Sequence, residues 1–367
     1  MLSELSSPAR RLALVGLAKN TGKTVTLAAL LSELERAGRT IAVTSVGRDG
    51  EEHDVIDARI SKPRVRLPAG SLLASTDELL RASGIAFELL VPTEVRTPLG
   101  RVLVVRLEHA GTVEVAGPSA AAQVRSVSEA MLAHGAEQVL IDGAIDRRAA
   151  SAPEVADGLI MATGAVLSGE IEQVVARTAD AVELARLPTL EHDGAASERA
   201  RMLASGHGGH LSALIGDDGE VQELPARFAL RAEEGGLHEL LDAHPDTSIL
   251  LIGGALPERL LDALLGAVRR RPRAPTVLVG DATRVFLGER SVGWYRRQGL
   301  HIRALRSTPL LALTVNPVAP QSHSFDSREL RGLLARAVEG LAILDVCHSD
   351  YLAADGYTQS RVSLPDD

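Results

Sequence analysis

Gly16, Gly22, Lys23 and Thr24 fall within GLAKNTGKT in the order Gly, four residues, Gly, Lys, Thr, which is the P-loop pattern. Two glycines at that spacing let a short backbone turn curl so that successive N–H groups face anionic oxygens, and the lysine adds a full positive charge. Lys23 is expected to reach the β- and γ-phosphates of a nucleotide. The Thr24 hydroxyl is the kind of oxygen that ligates Mg2+, which neutralises charge during phosphoryl transfer. Composition supports the reading: of 39 basic residues only Lys19, Lys23 and Lys62 are lysine, the rest being arginine. Under such a bias a retained lysine points to chemistry that a guanidinium does not supply. The bland alternative is an incidental Gly-Lys-Thr in a strand-to-helix turn, and the flanking pattern weighs against it.

The nucleotide-binding set is therefore Gly16, Lys19, Asn20, Thr21, Gly22, Lys23, Thr24 and Val25, with ATP and Mg2+ as the expected cofactors. Lys19 reads as a solvated or phosphate-neighbouring lysine. Dimerising ATPases with a deviant P-loop carry a second lysine directly after the first glycine, where this chain has Leu17, so a role in trans within a homodimer is the lesser alternative.

Mg2+ also needs an acid at the end of a neighbouring strand. Asp142, after the apolar QVLI, fits that place, whereas Asp146 reads as a cap for the next helix. Arg48, Asp49, Glu51, Glu52, His53 and Asp54 follow the second strand. Asp49 or Glu51 would give a second metal contact or orient a nucleophile, with a solvated acidic loop weighted equally. The catalytic set is then Lys23, Asp142 and Asp49, and the metal set Thr24, Asp142, Asp49 and Glu51. Lys62 and Arg64 either close over phosphate or are ordinary surface cations. Asn316, before Pro317, either lies near the base or terminates its strand, and ATP and GTP stay undistinguished.

Weaker signals have structural readings. His207 and His210 in HGGH suit a loop better than a metal site, Cys347 suits a buried structural thiol, and Arg269, Arg270, Arg271 and Arg273 suit a helix C-terminus.

These groups need elements to hold them. The apolar run at 12–15 predicts a strand, leucines 27, 30, 31 and 34 predict a helix over 25–36, and IAVTSV at 41–46 predicts a second strand, completing a βαβ unit. Further strands are expected at 65–73, 86–95, 138–142 and 158–163, a hairpin from 101–108 with 111–116, and helices at 76–83, 119–134 and 170–178. Later strands at 248–252, 276–279, 302–305, 311–315 and 341–346 alternate with helices at 257–270 and 327–339. The expected fold is α/β: a P-loop NTPase domain with a mainly parallel sheet over 1–185, a linker or excursion over 186–210, and a second, Rossmann-like α/β domain over 211–367 that suits partner binding.

At 367 residues with 45% apolar and 24% charged residues, the chain can bury a substantial core, which excludes intrinsic disorder. A formal net charge of −9 argues against nucleic-acid or membrane-surface binding. One cysteine excludes a disulfide framework, and no run of apolar residues is long enough for a membrane span or signal peptide, so the expected location is cytoplasmic.

The phrases GLAKNTGKT, TSVGRDGE, KPRVRLPAG, TPLGRV, DGAIDRR, TVNPVAP and SFD resemble the P-loop subunit of the lysine 5,6-aminomutase reactivase, of the dethiobiotin-synthetase-like P-loop class. The resemblance spans nearly the whole chain. It implies an accessory ATPase that opens an inactivated adenosylcobalamin-dependent aminomutase and lets damaged cobalamin leave, working with a second reactivase subunit. It also implies that Lys23, Thr24 and Asp142 run the ATP switch while Arg48, Asp49 and Glu51 sense the γ-phosphate. The competing expectation is a ligase or kinase that uses ATP to activate a small molecule.

Overall fold

The computed structural model describes residues 1–46, 64–143, 148–191, 194–206, 210–225, 228–269, 271, 273–320, 323–348 and 351. The chain forms two units, one of 1–179 with 309–367 and one of 180–308. The first unit begins α1 (Leu2–Ser6), β1 (Arg11–Gly16), α2 (Lys23–Arg36), β2 (Ile41–Ser45), β3 (Val65–Leu67), β4 (Leu72–Thr76) and α3 (Asp77–Ser83). It continues through β5 (Phe87–Thr97), β6 (Gly100–Leu107), β7 (Gly111–Val113), α4 (Ala121–Ala133), β8 (Gln138–Gly143), β9 (Gly158–Gly164) and into α5 (Ile171–Ala185). The second unit holds α6 (Ala195–Gly206), β10 (Ala213–Gly216), β11 (Val221–Glu223), α7 (Phe228–Arg231), α8 (Glu234–Ala243), β12 (Thr247–Ile252), β13 (Leu256–Pro257), α9 (Glu258–Val268), β14 (Thr276–Val279), β15 (Val285–Phe286), α10 (Val292–Arg297) and β16 (Ile302–Ala304). β17 (Leu310–Asn316), α11 (Ser327–Ala337) and β18 (Ala342–Leu344) return to the first.

The fold is α/β with a large, mostly parallel sheet. Nine strands lie in the order β18-β17-β9-β1-β8-β2-β4-β6-β5, parallel from β18 to β4 and antiparallel at β6 and β5. The central strands are near-continuous apolar runs because both faces are covered, as β2 and β9 show with every residue buried. α2 buries Leu27, Leu30, Leu31 and Leu34, one face of a 3.6-residue period, into a core with Leu12, Leu14, Ile41, Val43 and Leu140. The register sets Leu14 beside Asp142 and Gly16 beside Ala162, and Asn316 beside Gly164, so the carboxyl ends of β1, β8, β9 and β17 lie together.

Two expectations are corrected. Residues 101–108 do not pair with 111–116: β6, whose centre Val102-Leu103-Val104-Val105 is a continuous apolar run, pairs with β4 and β5, and the three-residue β7 pairs with β3. The partition at 186–210 and 211–367 also differs. Residues 186–210 join the second unit, where Leu190 N–H donates to the Ala304 carbonyl at 2.8 Å and Ala196 and Ala200 pack with Ile249 and Leu251. Residues 309–367 join the first unit, because β17 pairs with β9 and β18 with β17.

The second unit is itself α/β, with a five-stranded sheet in the order β11-β10-β12-β14-β16, parallel across β12, β14 and β16. Fully buried Tyr295 anchors its core and donates its hydroxyl to Asp262 Oδ1 at 2.7 Å. Burial, then that carboxylate, raises the phenol above its ordinary pKa. Among the described residues no helix is long and apolar enough to cross a membrane.

One buried acid fixes the far end of α2. Glu33, 5% exposed, accepts from Leu2 N–H at 3.3 Å, Ser3 N–H at 2.9 Å, Ser3 Oγ at 2.8 Å, the Met1 ammonium at 2.7 Å and the Tyr351 hydroxyl. Burial alone would raise its pKa, but these donors outweigh it and hold it down to about 2. A carboxyl depressed on folding stabilises the fold above its unfolded pKa and loses that contribution as pH falls from about 4.5 towards 2. Glu33→Gln is expected to cost about 2 kcal/mol at pH 7 in urea unfolding. The gap to the unsubstituted protein should narrow below pH 4.5, and a gap independent of pH would contradict the assignment.

Candidate functional site

The site begins where β1 ends. Leu17 N–H still donates to the Ala162 carbonyl of β9 at 2.9 Å, after which the chain turns and enters α2 at Lys23. Two positions require glycine. A Cβ at Gly16 would lie 2.6 Å from Thr21 Oγ1, whose hydroxyl donates to the Ala18 carbonyl at 3.0 Å and closes the turn on itself. Gly22 caps α2 in the left-handed region at φ +86°, where a Cβ would also lie 3.2 Å from Asn316 Cβ. Asn20 is left-handed too, at φ +64°, a conformation that asparagine tolerates better than most residues.

No side chain caps α2, and its first turn contains no acid. The amides of Lys23, Thr24 and Val25 therefore open the helix without intrahelical partners, at the positive end of its dipole. Thr24 and Val25 are exposed there, as are Lys19 and Asn20 in the loop. Lys23 turns to the adjacent strand, with Nζ 2.6 Å from Asp142 Oδ1 and donating to the Gly143 carbonyl at 2.9 Å. Both side chains are about one-fifth exposed, Lys23 at 18% and Asp142 at 22%, so the ion pair is neither sealed from solvent nor lost in it. An anion arriving at the loop would meet free amides, a hydroxyl and an ammonium whose present partner is a carboxylate suited to a divalent ion.

The donor set fits MgATP. Gly16 and Gly22 leave the backbone bare, Lys23 supplies charge, and Thr24 and Asp142 carry hard oxygens of the kind that Mg2+ takes, an ion that needs few protein ligands and would complete its shell with water and phosphate oxygens. The buried Thr21 hydroxyl is committed to the Ala18 carbonyl, so of Thr21 the backbone N–H is the group left for an anion.

Asp49, Glu51, Arg48, Lys62, Asp146, His207 and Arg270 lie outside the described residues. Arg64 is 3.6 Å from Glu114, and Arg271 and Arg273 are engaged by the Leu241 and Pro245 carbonyls and by Asp217. Cys347 is exposed, contrary to expectation, because it follows β18 where the chain leaves the sheet. Partial desolvation and Asp345 raise its thiol pKa, which disfavours a nucleophile. Sequence reasoning missed two contacts. Asn316 Nδ2 donates to the Asn20 carbonyl at 2.8 Å, and Thr26 and Thr314 share a buried hydroxyl hydrogen bond at 2.8 Å. Nothing in local spacing could reveal pairs 296 and 288 residues apart.

Gly22→Ala is expected to destabilise by about 1–2 kcal/mol from the left-handed backbone alone, with an added cost from crowding Asn316. Gly38→Ala, at φ +68° with nothing within 4 Å, isolates the backbone cost. Urea unfolding should rank Gly22→Ala below Gly38→Ala, and equal stabilities would contradict the close approach of β17.

No family model, curated protein or solved structure matches this chain.

Proposed function

We propose that this protein is a P-loop ATPase that binds MgATP through Gly16 to Thr24 and serves as the accessory ATPase of an adenosylcobalamin-dependent lysine 5,6-aminomutase, releasing damaged cobalamin together with a second reactivase subunit. One observation carries the nucleotide part: Lys23, at the start of a helix entered from a glycine-bounded turn, contacts Asp142 at the carboxyl end of the adjacent parallel strand. The reactivase part rests on the sequence phrases that resemble that family.

In this reading the loop and helix amides take the phosphate oxygens, and Lys23 exchanges Asp142 for the β- and γ-phosphates. Thr24 and Asp142 hold Mg2+, which supplies charge neutralisation at the phosphates. Asp49 and Glu51 are assigned to the γ-phosphate side on sequence grounds alone. Fixed amides and Lys23 need no rearrangement as charge shifts during cleavage, which is how such a site lowers the barrier.

Lys23→Ala is expected to reduce MgATP hydrolysis by about 100-fold or more while stability stays within about 1 kcal/mol. Unchanged MgATP turnover in that variant would sink the P-loop assignment. Asp142→Asn should lower hydrolysis and raise the Mg2+ concentration it requires, yet leave metal-free ADP affinity equal or higher, because Lys23 loses its competing carboxylate. For the role itself, hydrolysis is measured alone and with hydroxocobalamin-inactivated lysine 5,6-aminomutase and the second reactivase subunit. Stimulated hydrolysis with returning mutase activity supports the reactivase. Hydrolysis stimulated instead by a small carboxylate or alcohol would replace it with the ligase or kinase reading.

A further inference from the structure

β17 reaches the loop with two side chains. Thr314 bonds the hydroxyl of Thr26 at 2.8 Å, and Thr26 Oγ1 in turn donates to the Gly22 carbonyl at 3.1 Å, tying the first turn of α2 to the strand. Asn316 goes further into the loop, donating from Nδ2 to the Asn20 carbonyl at 2.8 Å while its Oδ1 accepts from Val318 N–H at 3.2 Å. The orientation of the carboxamide is fixed by these partners, since the reverse placement would set its NH2 against an N–H. Both ends of the side chain are therefore engaged by backbone.

The Asn20 carbonyl matters because a trans peptide is planar, with C=O and N–H directed to opposite sides. Holding that carbonyl towards β17 turns the Thr21 N–H away from the strand. Asn20 at φ +64° begins this peptide and Gly22 at φ +86° lies one residue past it, so it sits within the stretch where the loop leaves ordinary backbone. A peptide flip there would exchange a donor for an acceptor, and an anion would meet a carbonyl oxygen.

Resting on the reading that this loop holds nucleotide phosphates, we propose that Asn316 is a positioning residue: it locks the Asn20–Thr21 peptide so that the loop presents a donor to phosphate, and it does not read the base. Its influence then falls on every ligand with a polyphosphate, whatever else that ligand carries.

The test titrates the full chain and Asn316→Ala with MgATP, MgGTP and magnesium tripolyphosphate by calorimetry, with thermal melts alongside. All three affinities should fall by the same factor, about 10-fold for one lost hydrogen bond. Asn316→Asp retains the acceptor for Val318 but sets a carboxylate against the Asn20 carbonyl, and should weaken all three at least as much. A loss confined to one nucleotide, with tripolyphosphate unaffected, would make Asn316 a base reader and overturn the proposal. A lower melting temperature with unchanged affinities would reduce it to a structural contact and overturn it too. Absence of binding by the unsubstituted protein would sink the nucleotide reading beneath it, whereas intact binding with an indifferent Asn316→Ala would sink the brace alone.

Discussion

The chain has to leave a buried central strand and start a helix while keeping the first helical amides unpaired, and the site is built around that constraint. Gly16 admits the packed Thr21 hydroxyl, and Gly22 takes a backbone conformation that most side chains resist. With no capping side chain, the positive end of α2 is left to be satisfied from outside. Lys23 adds a charge to the same place and finds Asp142 at 2.6 Å, so each group has a partner within the fold. With about four-fifths of each side chain buried, neither charge can lose its partner without a replacement.

What was legible in the sequence follows the same physics. Runs such as IAVTSV, QVLID and GLIMAT specify strands because strands covered on both faces must be apolar throughout, and they match β2, β8 and β9 closely. The loop was legible because glycine at fixed spacing and a scarce lysine are local signals. Pairing was not. The apolar run of β6 and the three residues of β7 name no partner, and the apolar run of β17 reads the same whether it joins one sheet or the other. Asn316 read equally as a neighbour of the base or a strand terminus, since its contact with Asn20 depends on that assignment.

Parallel neighbours explain how so long a stretch can separate β9 from β17. A parallel pair always needs a crossover, and the sheet fixes the ends of that crossover without limiting its length. Here the stretch between them includes the whole of 180–308, with its own sheet and its own core around Leu250, Leu260, Leu264 and Tyr295. β17 then completes the first unit and carries Thr314 and Asn316 to the loop. The residues that shape the turn thus come from both ends of the sequence.

The most direct measurement is hydrogen exchange of the backbone amides with and without MgATP. The account predicts slowed exchange across 17–25, where loop and helix-start N–H groups take phosphate oxygens. Unchanged exchange across 17–25 at saturating MgATP, or slowing confined to 180–308, would contradict it.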